Sequence, residues 1–426
     1  MSDQREKNVW KRRFERTAIS VERAQQLVLE RVRHMSQEKM PLEQSYGRRS
    51  AIECKTTDPI PHFRRSGMDG YAIIAAATAG ATSEAPIQLQ VIGELACGEV
   101  PKQDITVKTA MRIMTGAMLP ESADCVAMQE MASEQMINGE RFISLKRELS
   151  AGTNVSEIGS DVPVGEVIVQ QGTLLGPAEF ALLASAGLTE VIVFRRPRVA
   201  ILSTGSELLS IAQPLEPGKI RNSNLYMLAA QVLNTDAEPV LFEHLIDHSE
   251  KIRDMVRQAF ESCDVVITSG GVSVGDYDFV ADLLTQSEVD LLFHKIQMRP
   301  GSVTSAAVNA NGKLWFALSG NPGACYAGYE LFVKPALLAM QGHPSPLPKQ
   351  WSAILAEPFA KVNAYPRYIR GRLWSEAGQL FAIPTAREQS SRMYPGLGAD
   401  ALLIIPAGGS GLPAGATIQT IPFRLS

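Results

Sequence analysis

Cysteine is scarce and poorly arranged for covalent or metal chemistry. The five thiols, Cys54, Cys97, Cys125, Cys263 and Cys325, are odd in number, widely spaced and form no C-x-x-C pair. Neither a disulfide framework nor a zinc ribbon is expected, and a reducing cytoplasm fits best. Long apolar runs are missing too: "YAIIAAATAGA", at 71–81, falls far short of the roughly 20 residues needed to cross a bilayer. Charge of one sign is not in excess, with 41 basic against 45 acidic side chains and a net charge of −4, so no overall field argues for nucleic acid. There is no G-x-x-x-x-G-K-[ST] loop, no G-x-G-x-x-G fingerprint and no plausible G-x-S-x-G elbow. No repeat at 20–50 residues is visible. His244 and His248 have a helical i, i+4 spacing but straddle the end of a strand, so a metal pair is not expected there. The first sixteen residues hold six basic and three acidic side chains and lack the apolar stretch of a secretory signal. They are expected to form a solvated extension or, alternatively, to bind an anionic surface.

What is present is a globular composition, 45% hydrophobic and 20% charged over 426 residues, at a length implying about three domains. From Arg198 onward, short β-branched runs alternate with amphipathic stretches, the pattern of a sheet wrapped by helices. Strands are expected at "RVAILSTG", "EPVLFEHLID", "CDVVITSGG" and "KLWFALSGNPG". The intervening helices are "SNLYMLAAQVL", with Leu225, Leu228 and Val232 on one face, "SEKIRDMVRQAFES" behind a Ser249 cap, "YDFVADLLTQ", and "ACYAGYELFVKPALLAM", which Pro335 should kink. "GHPSPLPKQ" reads as a linker. Beyond residue 350, alternating runs such as "ALLIIP" and "ATIQTIPF" between Gly/Pro turns predict a small β-barrel or sandwich. Ahead of Arg198, a helix over "SVERAQQLVLERVRHMS" leads into β-like segments ("PIQLQVIGEL", "MRIMTG", "ERFISL"), followed by a helix in "GPAEFALLASAGL" with Pro177 near its first turn.

In a doubly wound sheet, ligands sit beyond the carboxyl ends of the strands. Here each such end is polar. The first runs into Ser203, Thr204, Gly205 and Glu207, the second into Asp247, the third into Ser269, Gly270 and Gly271 with Asp276 and Asp278 beyond, and the last into Ser319, Gly320, Asn321 and Pro322. Taken singly, "SGGVSVGDYDF" could be a turn with Asp276 capping a helix. Taken together, the four loops bring carboxylates and Gly-rich anion cradles to one rim, pointing to a phosphate-bearing ligand with Mg²⁺. Lys295 and Arg299, four apart before a Pro-Gly turn, could neutralise an oxyanion or be ordinary surface charge.

The motifs "SGMDGYA", "RIMTGAMLPESADCV", "GSDV", "STGSEL", "GKIRNSN", "SGGVSVGDYDF" and "SGNPGACY", in this order, make the chain resemble the MoeA family, the molybdopterin molybdenumtransferases of molybdenum cofactor biosynthesis, from about residue 18 onward. The resemblance implies an elongated multidomain α/β plus β subunit. A helical and strand domain would span 18–60 and 162–196 after a mobile extension, 1–17. An inserted β-rich domain would take 61–161, a doubly wound molybdopterin-binding α/β domain 197–343, and a C-terminal β-barrel 350–426. It implies a homodimer whose cleft lies between subunits, and a reaction that takes adenylylated molybdopterin and molybdate, inserts molybdenum and releases AMP with Mg²⁺. The implied metal acids are Glu207, Asp247 and Asp278. Lys295, Arg299, Asp69, Asp161 and Thr115 join them as catalytic residues, and Arg370 and Ser390 join the strand-end residues in binding. Two departures stand out: Ser302 replaces a cation of the usual K-P-G-K-P, and Ser319 replaces a proline. Arg299, Arg64 and Arg65 are the expected compensation for Ser302. A molybdopterin adenylyltransferase is the alternative enzyme, and a possible partner; a non-catalytic cofactor-binding scaffold is the alternative of another class.

Overall fold

The computed structural model describes residues 18–242, 249–271, 289–361, 364–385, 389–409 and 411–423. The basic N-terminal extension, the whole of "YDFVADLLTQ", His244, His248, Asp247, Asp276 and Asp278 lie outside them. Among the described residues, no helix is long and apolar enough to cross a membrane.

The central sheet has six strands in the order Glu238–Leu241, Arg198–Ser203, Val265–Ser269, Leu314–Leu318, Ser305–Asn309, Val289–Phe293. The first four run parallel, and the last two are antiparallel. The antiparallel edge pair was not expected from the sequence, and its connection carries Lys295 and Arg299. Because side chains alternate along a strand, each central strand feeds two cores. Val199, Ile201, Val265, Ile267 and Phe316 pack beneath the helix Ser223–Leu233, through Leu225, Leu228 and Val232, and beneath the helical run that begins at Pro322. Ala200, Leu202, Val266 and Trp315 pack on the opposite face against Ile252, Val256 and Ala259 of the helix Ser249–Ser262.

That run does not kink simply at Pro335. It passes from α-helix (Pro322–Gly328) through a π-turn (Tyr329–Val333) to α-helix again (Lys334–Met340). Proline cannot serve the carbonyl four residues back; that carbonyl, of Leu331, accepts from Gln25 Nε2 at 2.9 Å. Gln25 belongs to the first helix, which spans only Val21–Leu29 behind its Ser20 cap. The expected continuation to Ser36 is lost because Met35 N donates to Met340 O, and Gln37–Pro41 then pairs antiparallel with Glu190–Phe194.

Residues 70–145 build a second six-stranded sheet, in the order Cys125–Met128, Gly70–Ile73, Thr109–Ile113, Ile87–Leu95, Glu140–Leu145, Ala132–Ile137. The chain ends in a closed barrel of five strands, Trp351–Leu355, Gln379–Pro384, Arg367–Glu376, Ala401–Ile405 and Thr417–Pro422, so closure rather than a sandwich removes its edges.

Candidate active site

Parallel register brings three strand ends level: Ser203 pairs with Ser269, and Ser269 with Leu318. The ends are laced together, Thr204 N donating to Ser269 O (3.0 Å) and Gly270 N to Leu318 O (3.1 Å). Beyond them opens a cleft of about 1240 Å³. Every expected strand-end residue that lies within the described residues lines it: Ser203, Thr204, Gly205, Glu207, Ser269, Gly270, Gly271, Ser319, Gly320, Asn321 and Pro322. Gly270 (φ +93°) has its missing Cβ directed at the Thr204 carbonyl, and the exposed Glu207 carboxylate lies over Gly205 (φ +152°). A side chain at either position would fill the cradle. Ser319 turns its departure from proline to use, since its Oγ accepts from Asn321 N at 3.2 Å.

Two helix N-termini open onto this cleft, at Asn222–Asn224 and Asn321–Pro322, and helix N-termini favour anions. Cations come from three separate segments: Arg221, Arg299, and Lys361 with Arg367 from the C-terminal region. Arg299 is held against the barrel by its backbone, its N donating to Pro366 O (2.9 Å) while its O accepts from Tyr368 N (2.8 Å). Burial, and then the charge of Arg299, lower the pKa of Arg367, as expected where two guanidinium groups share a partly dry wall. Among the described residues no three His, Cys, Asp or Glu side chains cluster as a metal site.

Residues 19–187 match the MoeA N-terminal region (domain I and II), residues 200–339 a probable molybdopterin binding domain, and residues 352–423 the MoeA C-terminal region (domain IV). A molybdopterin molybdenumtransferase of Bacillus subtilis is 40% identical over 409 residues, which is 96% of this chain and 95% of that protein. The chain belongs to the MoeA family. A molybdopterin molybdenumtransferase of Staphylococcus aureus is 36% identical over 406 residues, 95% of this chain and 96% of the relative. The crystal structure of a molybdopterin biosynthesis moeA protein from Pyrococcus horikoshii OT3 superposes with a TM-score of 0.82 at 31% identity, covering 95% of this chain and 100% of that one.

In this MoeA chain, the cleft gathers Arg299, Ser302 and Ser390 with the strand-end residues but does not include Lys295, Asp69, Thr115, Asp161 or Arg370 among its lining. Asp69 and Thr115 form an exposed pair of their own, just before Gly70–Ile73 and just after Thr109–Ile113, two neighbouring interior strands of the second sheet. Asp69 Oδ1 accepts from Thr115 N (2.6 Å) and Thr115 Oγ1 (2.7 Å), and these bonds hold its pKa below the ordinary carboxylate value. Asp161 is exposed beside the Ile60–Val162 bridge. Arg64, one of the cations expected to compensate for Ser302, has its guanidinium donating to the carbonyls of Ala123 (2.8 Å) and Glu121 (2.6 Å) within its own subunit. Arg370 is buried, its Nη2 donating to the carbonyls of Gln389 (3.2 Å) and Arg392 (2.9 Å) and so shaping the loop that presents Ser390.

Sequence reasoning missed Arg367, Lys361, Arg221 and Asn224. The period of two in "RYIRG" offered a signal, since Arg367 and Ile369 share a strand face and both line the cleft, whereas Arg370 takes the other face. For Asn224 the signal was a polar residue in the first turn of an otherwise apolar helical face.

Proposed function

We propose that this chain is a molybdopterin molybdenumtransferase of molybdenum cofactor biosynthesis, taking adenylylated molybdopterin and molybdate, inserting molybdenum into the dithiolene and releasing AMP. One observation carries the reading. Gly-rich strand ends, two helix N-termini and cations from three segments converge on one cleft, in a chain that aligns along almost its whole length with enzymes of that name.

The glycines at 270 and 320 let a phosphate come close to the backbone, and the helix ends favour its charge. Arg299 and Arg367 offset the negative charge of phosphate and molybdate, and Arg299 carries the larger share because Ser302 offers none. Oxygen donors of the set Glu207, Asp247 and Asp278 suit Mg²⁺, a hard cation. Glu207, the member within the described residues, stands exposed on the cleft. The chemistry such an ion supplies is charge stabilisation on the phosphate oxygens. Asp69, Thr115 and Asp161 are exposed yet do not line the cleft of their own subunit, which supports a homodimer in which they face the partner's cleft. The five free thiols support a cytoplasmic location, and a molybdopterin adenylyltransferase is the class of enzyme that would supply the substrate.

The test incubates the purified protein with adenylylated molybdopterin, molybdate and Mg²⁺ and quantifies AMP. Release that needs all three is expected, and no AMP from the parent protein overturns the reading. Asp69→Ala and Glu207→Ala should each lose most activity, and mixing them should recover part of it through hybrid dimers with one intact cleft. If subunits exchange and nothing is recovered, the two residues serve the same subunit's site.

A further inference from the structure

Asn224 is 8% exposed, in the first turn of the helix Ser223–Leu233. Its Nδ2 donates to Ser269 Oγ (2.8 Å) and to Gly320 O (2.9 Å). A main-chain carbonyl can only accept, so the amide cannot be turned round, and Oδ1 is left as the free atom of the pair. Oδ1 is buried with no hydrogen-bond partner among the described residues. The same is true of Ser203 Oγ and Thr204 Oγ1, on residues 1% and 3% exposed. All three residues line the cleft.

Buried polar groups are nearly always paired, and three unpaired ones along one cleft point to a ligand that completes them. Their chemistry restricts it. Oδ1 accepts and cannot donate, so it needs an N–H or O–H from the ligand. A phosphate or molybdate, ionised at neutral pH, has mostly acceptors to offer and cannot satisfy it. The two hydroxyls can donate to an acceptor beside that N–H.

We propose that Asn224 Oδ1, Ser203 Oγ and Thr204 Oγ1 form a neutral reading site for the edge of a nitrogen heterocycle that presents an N–H donor beside an acceptor, separate from the cationic wall that takes the anions. This rests on the reading of the cleft as the substrate site. The substrate has two such edges, the pterin and the adenine.

The test uses the intact protein with three probes: a 6-hydroxymethylpterin, AMP, and inorganic pyrophosphate, each measured by calorimetric titration beside a thermal melt. Ser203→Ala and Thr204→Val remove an unpaired hydroxyl without touching the Asn224 brace. Each should leave the melting temperature unchanged or raise it, while weakening the heterocycle that binds here by about threefold to tenfold, the value of one net hydrogen bond. Pyrophosphate binding should not move. Asn224→Ala should weaken the same heterocycle at least as much and lower the melting temperature, since it also removes the brace. Loss confined to the pterin assigns the edge to the pterin, and loss confined to AMP assigns it to adenine. Three outcomes overturn the inference: variants that bind both heterocycles like the parent, variants that lose pyrophosphate binding instead, or a parent that binds pyrophosphate but neither heterocycle. A parent that binds none of the three probes would instead overturn the assignment of the cleft itself.

Discussion

Gly270→Ala should damage this protein far more than Gly320→Ala, although the two glycines face each other in one cradle. Gly270 holds φ at +93° and donates its N–H to Leu318 O at 3.1 Å. A methyl group there would overlap the Thr204 carbonyl and lie 3.2 Å from Thr204 Oγ1. The carbonyl cannot simply retreat, because Thr204 N is itself bonded to Ser269 O and both residues sit at paired strand ends. The positive φ costs about 1–3 kcal/mol, and forcing a methyl group into packed backbone costs about 1–3 kcal/mol more. The sum, about 2–6 kcal/mol, corresponds to roughly 5–20 °C in melting temperature for a domain of some 150 residues. At Gly320 the nearest atom to an added Cβ is Gly270 Cα at 3.5 Å, ordinary contact, so the expected loss is below about 1 kcal/mol. Thermal unfolding of the two variants side by side measures the difference. Melting temperatures within about 2 °C of each other would show that the strand ends can part freely and that Gly270 is not held as described.

Two more outcomes follow from the site. Thr115→Val keeps the backbone donor to Asp69 but removes the hydroxyl donor, so the Asp69 pKa should rise part of the way back toward the ordinary value. In the parent, the depressed pKa adds stability that is present above the ordinary carboxylate pKa and is lost as pH falls through the folded value. Titration of the Asp69 carboxyl carbon by NMR reads this, and an unmoved midpoint would show that the hydroxyl bond contributes nothing. Arg299→Ala should raise the molybdate needed for half-maximal AMP release by on the order of 10–100-fold, with Ser302→Lys restoring part of it. Parental molybdate dependence in Arg299→Ala would put the oxyanion elsewhere.

Much of this molecule is legible in short windows because backbone geometry decides it locally. Alternation of two sends Val199 and Ile201 to one core and Ala200 and Leu202 to the other, and the helix Ser223–Leu233 begins and ends where its Asn222 cap and apolar spacing require. Parallel register then turns a list of polar strand ends into one cleft, so Ser203, Ser269 and Ser319 could be placed together from order alone. What sequence could not decide are the partners that arrive from far along the chain. The first helix, which ends at Leu29, cannot run on to Ser36 because Met35 N is taken by Met340 O, and Pro335 is tolerated because Gln25, on that same helix, reaches Leu331 O. The alternation in "RYIRG" separates its two arginines onto opposite faces, but only closure of the barrel decides which face meets the cleft. Nothing in "FRRSG" says that Arg64 is committed to the loop at 121–123. Asn224 shows the limit most sharply. Its residue type permits four hydrogen bonds, but only the packed ends of two other strands determine that both donors are used and the buried acceptor is left without a partner among the described residues.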